Sequence, residues 1–297
     1  MTTPKNHRIP VSICALALSA AALTLPLGAQ ADSIKNNSPL DLTVGGQVSR
    51  GLLIVNDGEE ASYRHVDNEN DSTIIFFEAD GKINADWSLG AAFAVKLRSN
   101  GSNDVSQASE TAGGSFEHDQ SDIWFAHRRL GTLTFGEGSL ASDGISEVDL
   151  SGTALAGYSA IADMAGGFLF INSSTGARSA VSIGDTADNL DGLDAGDRAM
   201  YTSPTFGGFA FSTSTTSGAV DAVVTYAGEF KGTAIEAAAG WYNNSSNANN
   251  DDAFEDGVSG SLSALFANGF NLTLAAGTKS AATAGRDDPI FYYGKAG

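Results

Sequence analysis

From Trp87 to Leu97 the chain alternates with a period of two. Trp87, Leu89, Ala91, Phe93, Val95 and Leu97 fall on one face; Ser88, Gly90, Ala92, Ala94 and Lys96 fall on the other. That period is the mark of a strand with one apolar side. Eleven residues in extended form reach about 36 Å at ~3.3 Å per residue. Tilted near 45°, such a strand rises about 26 Å, close to the apolar band of a membrane-spanning barrel.

The wave recurs along the chain. A first strand is predicted from about Asp41 to Ile54, with Leu42, Val44, Val48, Leu52 and Ile54 sharing a face. A second runs from Ser72 to Asn84, where Thr73, Ile75, Phe77 and Ile83 oppose Glu78, Asp80 and Lys82. Ile123 to Arg128 and Thr132 to Gly136 form a pair, although Ile123, Trp124, Phe125 and Ala126 are all too apolar to fix a facing. Asp197 to Ser203 and Phe209 to Thr215 flank a Pro-Thr-Phe-Gly-Gly turn. Val220, Ala222, Val224 and Tyr226 alternate with Asp221, Thr225 and Ala227, and turn into Ile235, Ala237, Ala239 and Trp241. Val258, Leu262, Ala264 and Phe266 alternate with Ser259, Ser261 and Ser263. Ala267-Asn268-Gly269 then turns into Phe270, Leu272 and Leu274, Asn-Gly being a favoured hairpin turn.

Short turns alternate with longer loops, as an up-and-down antiparallel barrel with short turns at one end requires. Keeping that alternation makes about 138–196 one long connection, so Phe168-Leu169-Phe170-Ile171 belongs to a loop and not to the wall. The reading gives eleven strands and the start of a twelfth at Ile290-Phe291-Tyr292-Tyr293. An unpaired strand edge in lipid leaves backbone groups unsatisfied. The chain is therefore expected to be a fragment of a longer barrel. For 16 strands, on the order of 60–90 further residues would follow.

The first 31 residues read as an export signal: Lys5, His7 and Arg8, an apolar run from about Val11 to Leu27, then Ala29-Gln30-Ala31 as a small-x-small cleavage site. The remaining 32–297 read as the barrel. The one cysteine, Cys14, lies in the signal, so disulfides and thiolate metal sites are excluded from the mature chain. The whole chain carries 16 Lys and Arg against 35 Asp and Glu, net −19; losing Lys5 and Arg8 with the signal takes it to −21. That charge argues against nucleic acid as a partner. No apolar stretch long enough for a membrane helix follows the signal.

Four segments carry a family resemblance. Leu42-Thr43-Val44-Gly45-Gly46-Gln47-Val48 resembles the first strand of general porins of the Gram-negative outer membrane. Leu130-Gly131-Thr132-Leu133-Thr134-Phe135-Gly136 resembles the strand that leads into their constriction loop. Ser142 to Gly152 is similar to the acidic opening of that loop, and Tyr201-Thr202-Ser203-Pro204-Thr205-Phe206-Gly207-Gly208-Phe209 to a later hairpin. The resemblance covers about Asp41 to the end. It departs from the family in its close, Lys-Ala-Gly in place of an aromatic residue.

The resemblance implies a homotrimeric, water-filled channel for small hydrophilic solutes and ions, seated in outer-membrane lipid and lipopolysaccharide. It implies that the long loop narrows the lumen with acids facing basic residues on the wall, a transverse field that sets ion preference. The acids would be Asp143, Glu147, Asp149 and Asp163; the bases Lys82, Lys96 and Arg98, then Arg128 and Arg198. Trp87, Trp241, Tyr226, Tyr292 and Tyr293 suit aromatic girdles. The net charge points to cation preference.

No cofactor is expected. Asp185, Asp188, Asp191, Asp194 and Asp197, and again Asp251, Asp252, Glu255 and Asp256, offer the oxygen ligands calcium takes, but neither set has calcium-hand spacing. The expectation is a solvated loop, or one bridged to lipopolysaccharide by divalent ions. An enzyme is disfavoured, because His65, His118 and His127 sit in no nucleophile or metal motif. A substrate-specific channel and a secreted β-rich adhesin remain alternatives; solubility without detergent would mark the adhesin.

Overall fold

The computed structural model describes residues 40–244, 254–281 and 287–297. The expected export signal and the acids Asp251 and Asp252 lie outside them.

Among the described residues sixteen strands follow one another: β1 (Leu40–Gln47), β2 (Arg50–Asn56), β3 (Ala61–Asp67), β4 (Ile74–Lys82), β5 (Trp87–Ser99), β6 (Gly114–His127), β7 (Gly131–Ser139), β8 (Leu169–Ile171), β9 (Arg178–Ser182), β10 (Ala195–Thr202), β11 (Phe209–Thr216), β12 (Ala219–Phe230), β13 (Thr233–Asn243), β14 (Phe254–Leu265), β15 (Asn271–Ala281) and β16 (Ile290–Ala296). Twelve build one sheet in the order β1-β4-β5-β6-β7-β10-β11-β12-β13-β14-β15-β16. Each pairing in it is antiparallel. The twelve wall strands are those the alternation predicts. They form the all-β, up-and-down wall of a transmembrane barrel.

The two faces of the sheet differ as the pattern requires. Val220, Val224, Trp241, Val258, Leu262 and Leu274 are exposed on the outer face, where only lipid leaves them in an apolar medium. Asp221, Ser259, Ser261, Ser263 and Thr273 alternate with them and are buried on the inner face. Connections 83–86, 128–130, 203–208, 231–232 and 266–270 gather at one end, and 48–73, 100–113 and 140–194 at the other.

The structure corrects the first strand. Past Gln47 there is nothing for β1 to pair with, because β4 begins only at Ile74. Ser49 instead donates its N–H to Thr73 Oγ1 (3.0 Å), and the chain folds back as the β2–β3 ribbon, with Arg50 on Asp67 (3.3 Å). The inner side of that ribbon packs Val66, Leu53 and Val55 on Val105, Phe168 and Ile183. Phe168 thus belongs to a small apolar core between loops, and β8 pairs with β9 away from the wall.

The ambiguous facing in β6 is settled by pairing across the sheet. Ile123 and Phe125 are exposed outward, while Asp122 is buried inward. Trp124 also faces in, across Gly90, where an added Cβ would stand 2.1 Å from Trp124 Cζ2. Replacing Gly90 by Val should therefore displace the indole and cost about 1–3 kcal/mol, as overpacking does, read as a lowered thermal midpoint in detergent.

Candidate functional site: a loop fastened across the inner face

Residues 140–194 leave β7, travel over the inner face and return to β10. At the root, Asp221 of β12 accepts four hydrogen bonds: from Ser142 N and Oγ (both 2.8 Å) and from Ser214 N and Oγ (both 2.6 Å). Ser214 Oγ accepts from Ala141 N (2.9 Å), and Ser142 Oγ accepts from Leu193 N (3.0 Å). Outgoing and returning arms thus meet the wall at one carboxylate. Ile145 adds an apolar contact with Val223 and Ala238.

The outgoing arm then follows the wall strand by strand. Val148 N donates to Ser261 Oγ (3.0 Å) and Leu150 N to Ser263 Oγ (2.8 Å). Lys295 Nζ of β16 reaches Asp149 Oδ2 (2.9 Å) and the Gly157 carbonyl (2.8 Å). Beyond β16 the loop meets the first long connection, where Asn68 and Asn70 side-chain amides donate to the Leu155 carbonyl (2.9 and 3.2 Å). Ser102 Oγ donates to the Asp163 carbonyl.

The two arms are also tied to each other. Asp191 accepts from Gly144 N (2.7 Å) and Ser146 N (2.6 Å), and Asn189 Nδ2 donates to Glu147 Oε1 (2.8 Å). Burial pushes the Glu147 carboxyl up to about 8, with Asp191 adding repulsion. Burial pushes Asp191 up to about 7 against its two backbone donors. Asp143 is raised by burial, eased by Ser139. Asp163 is raised by burial although Tyr158 Oη donates to it (2.7 Å), and burial raises the Tyr158 hydroxyl as well. Burial works against Asp149 too, yet Lys295 and Ser151 hold its carboxyl below the usual range.

Asp143, Glu147, Asp149 and Asp163 therefore all lie on the loop at the inner face, in different settings. Among the expected bases, Lys96 and Arg198 are brought to Asp143. With Asp119, Gln120, Ser139 and Asp194 they line a 410 Å³ cavity. Lys96 pairs with Asp119 (2.9 Å) and Arg198 with Asp122 (2.9 Å). Arg98 is held by Glu69 (2.9 Å), Asp104 (3.2 Å) and Glu117 (3.4 Å).

Two bases need correction. Arg128 pairs with Asp86 in the 83–86 turn, and Lys82 is exposed at the last position of β4 beside the same turn. Both sit on the short-turn rim, because their strands end there, and neither pairs with a loop acid among the described residues.

The aromatic set divides similarly. Trp87 stacks edge-on with His127 (4.7 Å) and Tyr226 lies on Phe209 (4.7 Å), both beside short turns. Trp241 is exposed near the opposite end of β13. Tyr292 is 79% exposed on the outer face. Tyr293 is a correction: next in the strand, it faces inward opposite buried Ala275, toward the loop and not toward lipid.

The acids proposed for calcium are dispersed. Asp185 takes Ser182 N (2.7 Å), Asp188 takes Leu190 N (2.7 Å) and Lys279 (3.6 Å), and Asp191 is committed to the loop arms. Among the described residues no three His, Cys, Asp or Glu side chains are grouped to hold a metal.

Sequence reasoning missed Asp221, Asp122, Asn189 and Lys295 as fasteners of this site. Asp221 had a signal: a carboxylate between Val220 and Ala222, in the inward phase of a strand.

No curated protein matches the chain. Solved structures similar to it include OmpT, an outer membrane protein of Vibrio cholerae (12% identity, 89% of this chain and 73% of that one, TM-score 0.49). Others are Salmonella typhi OmpF in complex with daunomycin (12%, 82% and 67%, 0.47) and the anion-selective porin of Comamonas acidovorans (11%, 86% and 78%, 0.43). A family model described as Gram-negative porin matches residues 15–297, and this chain belongs to that family of the outer membrane.

Proposed function

We propose that this outer-membrane porin is a non-enzymatic, cation-preferring diffusion channel for small hydrophilic solutes, narrowed by the 140–194 loop. One observation carries the ion preference. The inner-face bases Lys96, Arg98, Arg198, Lys279 and Lys295 are each in an ion pair with a carboxylate. Asp143, Glu147, Asp163, Asp191 and Asp194 enter no ion pair among the described residues. Local pairing neutralises the bases, and the unpaired loop acids leave a negative surplus that grows as Asp191 and then Glu147 ionise, so cations concentrate in the lumen. The polar groups of the site are occupied in holding the loop, which suits a channel better than a reaction centre. Homotrimeric assembly and contact with lipopolysaccharide come from the family resemblance.

Planar-bilayer recording from purified protein tests the reading. Stepwise ohmic openings are expected, grouped in threes, with a cation-directed reversal potential in a salt gradient. Folded, detergent-stable protein that passes no current would overturn the channel. An anion-directed potential would overturn the ion preference alone.

A further inference from the structure

The root of the loop converges on one side chain that touches no permeating solute. Asp221 is 0% exposed. Both its oxygens are saturated, Oδ2 by Ser142 of the loop and Oδ1 by Ser214 of β11. The same two serines carry the hydrogen bonds to Ala141 and Leu193. One carboxylate on β12 therefore fixes the outgoing arm directly and the returning arm through Ser142. Gly192 makes this approach close: a Cβ there would lie 2.2 Å from the Ser142 carbonyl oxygen.

We infer that Asp221 is the positioning residue that sets the open level of the channel, by pinning both arms of the loop to the wall at one point. The inference rests on the loop being the constriction. A buried carboxylate with four donors is hard to replace. Removing it leaves two backbone N–H groups and two hydroxyls without their acceptor, and a buried donor left unpaired is strongly disfavoured. The arms then have a reason to move until those donors find water, and movement at the root displaces Asp143, Glu147 and Asp149 downstream.

Asp221→Asn keeps the volume and offers one oxygen where there were two, so the Ser142 and Ser214 donors compete for it. The expected result is a channel that still opens but loses its single quiet level, with frequent sub-conductance steps. Ser214→Ala, which deletes one donor and the link to Ala141, should do this to a smaller degree. Should Asp221→Ala fail to insert, Asp221→Asn decides. A quiet single level in Asp221→Asn, with or without a changed reversal potential, would overturn the inference, because the residue would then act by charge or not at all.

A second readout needs no current. The only cysteine is Cys14, within the export signal. A nitroxide on Ala195→Cys, the exposed residue where the returning arm enters β10, should gain mobility in the Asp221→Asn background. Unchanged mobility would overturn the pinning role even if the protein proved not to be a channel, so the two readings fail separately.

Discussion

Asp122→Ala is expected to destabilise the barrel by about 3–5 kcal/mol, the range for breaking a buried ion pair from one side. Asp122 and Arg198 have side chains 2% and 4% exposed, and the guanidinium Nη2 lies 2.9 Å from the carboxylate. Nη1 reaches only the Gly136 carbonyl at 3.4 Å, and Nε has no partner among the described residues. With Asp122 gone, the buried guanidinium would keep its full positive charge without the carboxylate that pairs with it. Gly138 shows how tightly the site is built: a Cβ there would fall 2.5 Å from Arg198 Nη1. The urea midpoint for unfolding from lipid vesicles checks this. The paired replacement Asp122→Leu with Arg198→Met should recover most of the loss, because exchanging both charges for apolar groups is often neutral or better. A double variant as unstable as Asp122→Ala would mean that the guanidinium is needed for the wall itself.

The wall was readable from the chain because its two faces meet different solvents. Lipid outside demands Val220, Val224, Val258 and Leu262; the inner side accepts Asp221, Ser259, Ser261 and Ser263. A period of two follows from that alone. Where the solvent contrast fails, so does the reading. In β6 Trp124 faces inward against Gly90, so both phases are apolar and the sequence has no sign of which is out. The first strand misled because alternation runs on through Leu52 and Ile54, but a strand needs a partner as well as a period, and β4 starts too late to supply one.

The loop acids were legible as a set and not as individuals. Asp143, Glu147, Asp149 and Asp163 all come to the inner face, yet among the described residues only Asp149 forms an ion pair with a wall base, Lys295. That contact spans 146 positions in the chain, and no local pattern encodes such a meeting. Lys82 reads as a wall base because it shares the polar phase of its strand with Glu78 and Asp80, and Arg128 because the facing of its strand is open in the sequence. Their distance from the loop is set by strand length and stagger. Asp191 reads as one of a run of loop acids, solvated or offering calcium its oxygen ligands, and Asn189 two residues before it carries no pattern that marks it. Their partners, Glu147 and the amides of Gly144 and Ser146, come from the other arm of the same loop.

Cation preference should rise as pH goes from 6 to 9, and Glu147→Gln should remove the upper part of that rise. Glu147 sits near 8 and Asp191 near 7, both lifted chiefly by burial. Asp143, Asp163 and Asp194 face them with further negative charge; Asn189 and the Gly144 and Ser146 amides are their donors. Below pH 6 both groups are neutral and the loop carries two fewer charges than at pH 9. Because a narrow, low-dielectric cleft concentrates counter-ions steeply with charge, the permeability ratio should change severalfold, read as a shift of reversal potential. The same protonation bears on the docking of the loop. A carboxyl raised in the folded state binds a proton that the undocked state gives up at its ordinary value, near 4.5 for Glu147. The docked loop then keeps this contribution in full below that value and loses it as pH rises through about 8. Open-channel noise should accordingly be lowest in acid and grow toward pH 9. Glu147→Gln, neutral throughout and still able to accept from Asn189, should lose the increase in noise and cation preference through pH 8 and keep only the part near 7 that belongs to Asp191. A Glu147→Gln channel whose noise and reversal potential follow the wild-type curve through pH 8 would show that this carboxyl does not titrate in the docked loop.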